Sequence, residues 1–349
     1  MTNKKQRLGK KQSSKAVKKT LRSRAKQQAC RLRKGLTSKV TKELPPKAIR
    51  VFVAGGSRPG YNPDYMAEAF HLGQVIGKRN YQLTFGWSSR GIMGAVAQGV
   101  LETWKHKNQD LLNFFKPLQG ITTEHYQALY PDDALVKGLA DVIVAHNLED
   151  RKKALLSAEF IVFAPGGLGT LDELVYDCTA MQDGWLEVKP FILFNVNGFF
   201  HHILEYLKDI QLKGFSDRVP FIVVDDVFEL EVAFSMISYY RPKILNKTRA
   251  AQIVDKIIHE LPYAIEQVKK DRTISVSQLL KNRNLVTKNG SAEEKQALEH
   301  AIETAYLTKE IQRMNDRLIA TSRDTALVSH KLDELKQKME KTRRTDGFY

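Results

Sequence analysis

The amino-acid sequence predicts an α/β fold, a doubly wound parallel sheet with a basic arm ahead of it and a helical extension behind it. Three observations carry this. Seven short apolar runs alternate with helix-length segments between residues 48 and 240. The runs are continuously apolar rather than alternating, which suits parallel strands covered on both faces. Two of them end in glycine-rich turns that lead into helices, where doubly wound sheets hold ligands.

The arm comes first. Residues 1–50 hold 18 of the 55 Lys and Arg but one of the 39 Asp and Glu, which leaves 37 bases against 38 acids in the remaining 299 residues. The formal charge of +16 therefore belongs to the arm and not to the folded body. With few large apolar residues, residues 1–47 cannot bury enough surface to offset ordering and are read as disordered. Such an arm can neutralise nucleic-acid phosphates or meet another anionic surface. It lacks the aromatics that stack on bases. Pro45-Pro46 closes it as a stiff hinge.

The strands follow in the runs AIRVFVAGG, YQLTFG, LQGITT, DVIVAH, EFIVFAPGG, KPFILFNV and PFIVVDD, with helices expected over Pro63–Arg79 and Phe199–Lys213 among others. Residues 48–240 thus read as one domain of Rossmann-like form. Residues 241–290 turn helical and charged. At Asn289-Gly290 a turn is expected, and Ser291 with Glu294 fits a capping box opening the segment 291–349. There Leu307, Ile311, Met314, Leu318, Thr321, Thr325, Val328, Leu332, Leu335 and Met339 follow a 4,3 spacing, the seam of a coiled coil or long amphipathic helix.

Two distant cysteines and no secretory or membrane-spanning apolar segment place the chain in a reduced, cytoplasmic setting without disulfides. The His201-His202 pair lacks ligand partners at metal-binding spacing and reads as solvated. Cys178 reads as a small core residue.

Two stretches carry chemistry. In PGGLGTLDE, Gly166, Gly167 and Gly169 let backbone approach a ligand, and the amides of the following helix form an anion site suited to phosphate. The stretch lacks the Lys-Ser/Thr ending of a triphosphate loop and the third glycine of a dinucleotide fingerprint. Thr170 and Glu173 also satisfy a capping box. In TFGWSSRGIMG, Gly86, Gly91 and Gly94 form a second turn of the same kind. Two such turns suit a ligand as long as a nucleotide, while Gly91 and Gly94 also suit close helix packing.

These stretches resemble the LOG (Lonely Guy) family, long labelled lysine decarboxylase-like, whose signature Pro-Gly-Gly-x-Gly-Thr-x-x-Glu is matched by Pro165–Glu173. An Arg-Lys pair one helix upstream appears as Arg151-Lys152 in LEDRKKALL, and GIMG, KPFILFNVNGFF and KGF match further blocks over about residues 50–235. The chain departs from the family pattern at Gly86-Trp87-Ser88, where a triple glycine is usual, at Leu148, where Met is usual, and in the longer ETWKHKNQDLLNFFKPLQG connection.

The resemblance implies a Rossmann-like homodimer, or a higher oligomer, that hydrolyses a nucleoside 5′-monophosphate of AMP or cytokinin-riboside type to free base and ribose 5-phosphate. It implies no cofactor and no metal. Glu173 and Arg151 match the catalytic pair. Gly166, Gly167, Gly169, Thr170, Gly91, Gly94 and Lys152 match positions holding phosphate and ribose. Asp172 is read as an acid complementing the helix dipole. An alternative from another class is a nucleotide-sensing scaffold that engages nucleic acid or protein through its arm and coiled coil.

Overall fold

The computed structural model describes residues 49–104, 116–129, 140–217, 219–245 and 249–313. The basic arm, part of the long aromatic connection and the seam beyond Ile311 lie outside the described residues. All seven predicted runs form strands: β1 (Arg50–Ala54), β2 (Gln82–Phe85), β3 (Leu118–Thr123), β4 (Ala140–Ala145), β5 (Phe160–Phe163), β6 (Phe191–Phe194) and β7 (Phe221–Val224). They make one parallel sheet in the order β4-β3-β2-β1-β5-β6-β7. The order reverses between β1 and β5, whose residues Val51–Ala54 pair with Phe160–Phe163.

Successive strand side chains point to opposite faces, and each face has its own core. On one face Val51, Val53, Leu83, Phe85, Phe160, Val162, Ile192 and Phe194 pack against α1 (Asp64–Lys78), α2 (Gly91–Trp104), α7 (Val227–Ile244), α8 (Ala250–Lys270) and α9 (Val276–Asn289). On the other, Phe52, Ile161, Phe163, Phe191 and Leu193 pack under α4 (Leu148–Leu155), α5 (Leu168–Gln182) and α6 (His201–Leu212). A short helix, α3 (Glu124–Leu129), follows β3 and buries none of its residues. The continuous apolar runs are thereby explained, because in the central strands neither face meets water.

α1 and α2 approach at backbone contact. A Cβ added at Gly73 would collide with Val96 O, and one at Gly99 with Phe70 O. The predicted capping box is present, with Ser291 N donating to Glu294 Oε2 at 2.8 Å and Glu294 N to Ser291 Oγ at 3.1 Å. It opens α10, residues 292–313. Ile302 and Ala305 of this helix are buried, whereas the first two seam positions, Leu307 and Ile311, are exposed. Among the described residues no helix is long and apolar enough to cross a membrane.

Candidate active site

At the carboxyl ends of β1, β2 and β5 lies a cavity of about 650 Å³, at the point where the strand order reverses. That is where doubly wound sheets bind ligands. Three loops close it. The loop after β1 is clamped between the other two: Gly56 N donates to Pro165 O at 3.0 Å, and Gly56 O accepts from Met93 N at 3.2 Å. The backbones are in contact here, since a Cβ at Gly166 would collide with Thr170 Oγ1 and crowd Gly56 N.

α5 begins at Leu168 with Gly167 as its N-cap and no side-chain cap. The capping-box reading of Thr170 and Glu173 is therefore corrected, because both lie inside the helix. Leu171 N closes the first helical bond, to Gly167 O at 3.1 Å, which leaves the amides of Leu168, Gly169 and Thr170 without helical acceptors. A Cβ at Gly167 or Gly169 would meet nothing within 4 Å, so open space adjoins the start of this helix.

One turn further, Glu173 faces Arg151 of α4. Asn147 caps that helix, its Oδ1 accepting from Asp150 N at 2.8 Å, and so sets Arg151 in the first turn. The guanidinium donates from Nε to Ile121 O within β3 (3.2 Å) and from Nη1 to Glu173 Oε1 (3.3 Å). Its centre lies 5.5 Å from the Tyr126 ring centroid. Both side chains are nearly buried, at 13% and 14% exposure. Burial pushes the Glu173 carboxyl above the usual carboxylate range, and the Arg151 charge pulls only part of that back.

Of the predicted site residues, Arg151, Glu173, Gly166, Gly167, Gly169 and Thr170 line one cavity. Lys152 does not join them. It pairs with Asp172 at 2.7 Å and lies over the Tyr176 ring at 4.7 Å. Gly91 and Gly94 also stand outside the lining. Gly91, at φ 59°, lets the backbone of Ser57 and Arg58 pass, and Gly94 lets Ser89 O approach.

Trp87 adopts φ 57°, rare for a bulky residue. Its indole lines the cavity while lying over Gly120, where a Cβ would collide with the ring, and beside Phe85 at 6.0 Å. Sequence reasoning missed Arg58, Arg90, Tyr65, Tyr126 and Phe199 in the lining. The GGSRPG turn after β1 was the available signal.

His201 corrects a second reading, being buried at 8% exposure while His202 is solvated. Cys178 is a core residue, its thiol pushed up to about 12 by burial. Among the described residues no group of three or more His, Cys, Asp or Glu could hold a metal.

A crevice at the strand-order reversal, opening onto a helix N-terminus and holding a carboxylate beside a guanidinium, defines a doubly wound α/β protein with a polar ligand crevice at its switch point. Residues 93–231 match the sequence model of the family described as "Possible lysine decarboxylase". The chain is 30% identical over 190 residues to a protein of Oryza sativa subsp. japonica named "Probable cytokinin riboside 5′-monophosphate phosphoribohydrolase LOG4", covering 53% of this chain and 75% of that one. It is 27% identical over 186 residues to the cytokinin riboside 5′-monophosphate phosphoribohydrolase of Rhodococcoides fascians, covering 52% and 86%. Among solved structures, the Moco carrier protein of Chlamydomonas reinhardtii is similar at 19% identity and a TM-score of 0.37, over 52% of this chain and 91% of that one. The chain belongs to the LOG family.

Proposed function

We propose that the protein hydrolyses the N-glycosidic bond of a nucleoside 5′-monophosphate, releasing the free base and ribose 5-phosphate. The observation that carries this is the Glu173–Arg151 pair, 3.3 Å apart and one helical turn behind a helix start whose first amides lack helical acceptors and which adjoins open space. Those amides and the positive end of α5 suit the 5′-phosphate. With the phosphate there, the ribose lies over Glu173.

The C1′–N bond then breaks with its electron pair leaving on the base. The positive charge left on C1′ and the ring oxygen is stabilised by the Glu173 carboxylate. Water adds to C1′ and gives its proton to Glu173, from which the departing nitrogen recovers it. A carboxyl whose proton affinity is raised by burial suits this exchange. Arg151 holds the Glu173 carboxylate in place and offers its remaining N–H groups to ribose or phosphate oxygens. The relatives' names supply the substrate class, a riboside 5′-monophosphate.

The same reading makes the protein a homodimer. Leu168, Leu171 and Val175 form an exposed apolar stripe on α5, and Leu168 also lines the cavity, so a second copy seated there would border the site.

The test is free-base release from a panel of nucleoside 5′-monophosphates and the matching nucleosides. Release is expected from the phosphorylated series alone. Glu173→Gln is expected to lower kcat by about 10²–10⁴-fold with nucleotide binding retained, and Arg151→Ala to lower kcat and raise KM. Binding without release by the native chain would mark a nucleotide-sensing module instead.

A further inference from the structure

α10 lies outside the region matched by the family model, yet its last described turn reaches the strand ends beside the cavity. Lys309 Nζ donates to Glu229 Oε1 at 2.6 Å and lies 2.9 Å from Asp225 Oδ2. Arg313 Nη2 donates to Val223 O at 2.7 Å, and its Nε lies 3.5 Å from Asp225 Oδ2. Both cations thus converge on the carboxylate that follows β7. Burial works to raise the proton affinity of Asp225, but Arg313, Lys309 and Asn195 outweigh it and hold the group below the usual carboxylate range.

From Asp225 the contacts run on to the cavity. Asn195, after β6, donates from Nδ2 to Asp225 Oδ1 at 3.0 Å and accepts at Oδ1 from Phe200 N at 2.8 Å. Its amide is thereby fixed in one orientation, since reversing it would lose both bonds. Between these anchors the chain passes through two left-handed residues, Asn197 at φ 51° and Gly198 at φ 72°. Asn197 Nδ2 donates to Asp64 Oδ2 at 2.9 Å. The turn sets Phe199 in the cavity wall, edge-to-face with Tyr65 at 5.6 Å. An aromatic pair of this kind offers a face or edge to a planar base, whereas the phosphate end of the cavity is built of backbone amides.

We propose that Lys309 and Arg313 of α10 act, through Asp225 and Asn195, as positioning residues for Phe199, and so set how tightly the cavity holds the base of its nucleotide. This rests on the nucleotide reading above. Without the two cations, Asp225 becomes a half-buried, unpaired carboxylate facing Glu229, and it holds Asn195 less firmly as it takes up a proton or turns to water. The 195–200 turn then loosens at Phe199 and not at the α5 amides.

The test compares the full chain with a Lys309→Met/Arg313→Gln variant, titrating AMP and ribose 5-phosphate by calorimetry with Glu173→Gln in both so that AMP stays intact, while following amide exchange at Phe200. The variant is expected to bind AMP about five- to tenfold more weakly with ribose 5-phosphate affinity unchanged, and to lose protection at Phe200. The AMP loss should vanish in a Phe199→Ala background and be restored by Lys309→Arg/Arg313→Lys, neither of which a helix that merely staples the fold would produce. Unchanged AMP affinity, equal loss for both ligands, or losses that add to that of Phe199→Ala would overturn the inference. If the native chain binds neither ligand, the nucleotide reading has failed. Phe200 exchange then decides the positioning role by itself, and retained protection in the variant overturns it.

Discussion

Gly86 shows how one missing side chain leaves room for a residue of the proposed site. A Cβ there would collide with Arg151 Nη2, so the glycine that follows β2 leaves the guanidinium the place from which it meets Glu173. Gly86→Ala is expected to shift Arg151 by a few tenths of an ångström and to lower kcat/KM by about 10-fold or more, with little change in stability. Turnover matched to that of the native protein would show that Arg151 tolerates displacement. Asp177, one turn behind Glu173, offers a pH signature. It is 2% exposed with Oδ2 unbonded, and burial, with the Glu173 charge second, pushes its carboxyl up to about 8. Unfolded it titrates near 4, so between about pH 4 and 8 the folded group is protonated and the unfolded one ionised. Unfolding there releases a proton, and stability falls as pH rises through that window. Lys189, pushed down to about 8 by burial, is protonated in both states below that pH and adds no slope. Asp177→Asn is therefore expected to flatten the fall by about 1 kcal/mol per pH unit, measured as urea unfolding at pH 5, 6.5 and 8. Parallel profiles for the two proteins would refute the assignment.

Among the elements, α5 serves two surfaces. Leu174 and Cys178 face the sheet, while Leu168, Leu171 and Val175 lie at 85%, 40% and 46% exposure on the opposite side. In the dimer proposed above, the outer stripe is the surface that a second copy would cover. Val175→Glu is expected to convert a dimer to a monomer by light scattering, while far-UV circular dichroism stays native. A native chain that is monomeric at working concentration would remove this role from α5. The strands were legible because a central parallel strand announces itself as an unbroken apolar run of four or five residues, and PGGLGT because three glycines in six residues have few other uses. What sequence spacing does not carry is direction. Lys152 adjoins Arg151, yet one residue along a helix turns the side chain by about 100°, toward Asp172 and away from the cavity. Thr-x-x-Glu looked like a cap because the three-residue offset from Thr170 back to Gly167 depends on how the loop meets Gly56, which is a tertiary fact.

Across the whole molecule the helical extension belongs to the same core as the sheet. Val254, Ile257, Leu261, Ala264 and Leu280 of α8 and α9 are buried in the cluster that also holds β-strand residues Val51 and Phe160. No charge-pattern argument anticipated this, because 241–290 reads as polar along its length, while its apolar residues gather on one face only once the chain is helical. Within that interface sits Arg283, 6% exposed, bound to Glu260 and donating to Tyr240 Oη at 3.1 Å and Asn284 Oδ1 at 2.6 Å. Glu260 is itself 8% exposed, and its other cation, Lys256, is 3.7 Å away. A buried pair of this kind gains little over an apolar pair of the same volume, but removing one partner strands the other. Arg283→Met is expected to destabilise the protein by about 3–5 kcal/mol, and Arg283→Met with Glu260→Leu to recover most of that loss, measured by urea unfolding. If the double variant were no more stable than the single one, the cost would lie in lost packing around the guanidinium stem rather than in the stranded carboxylate.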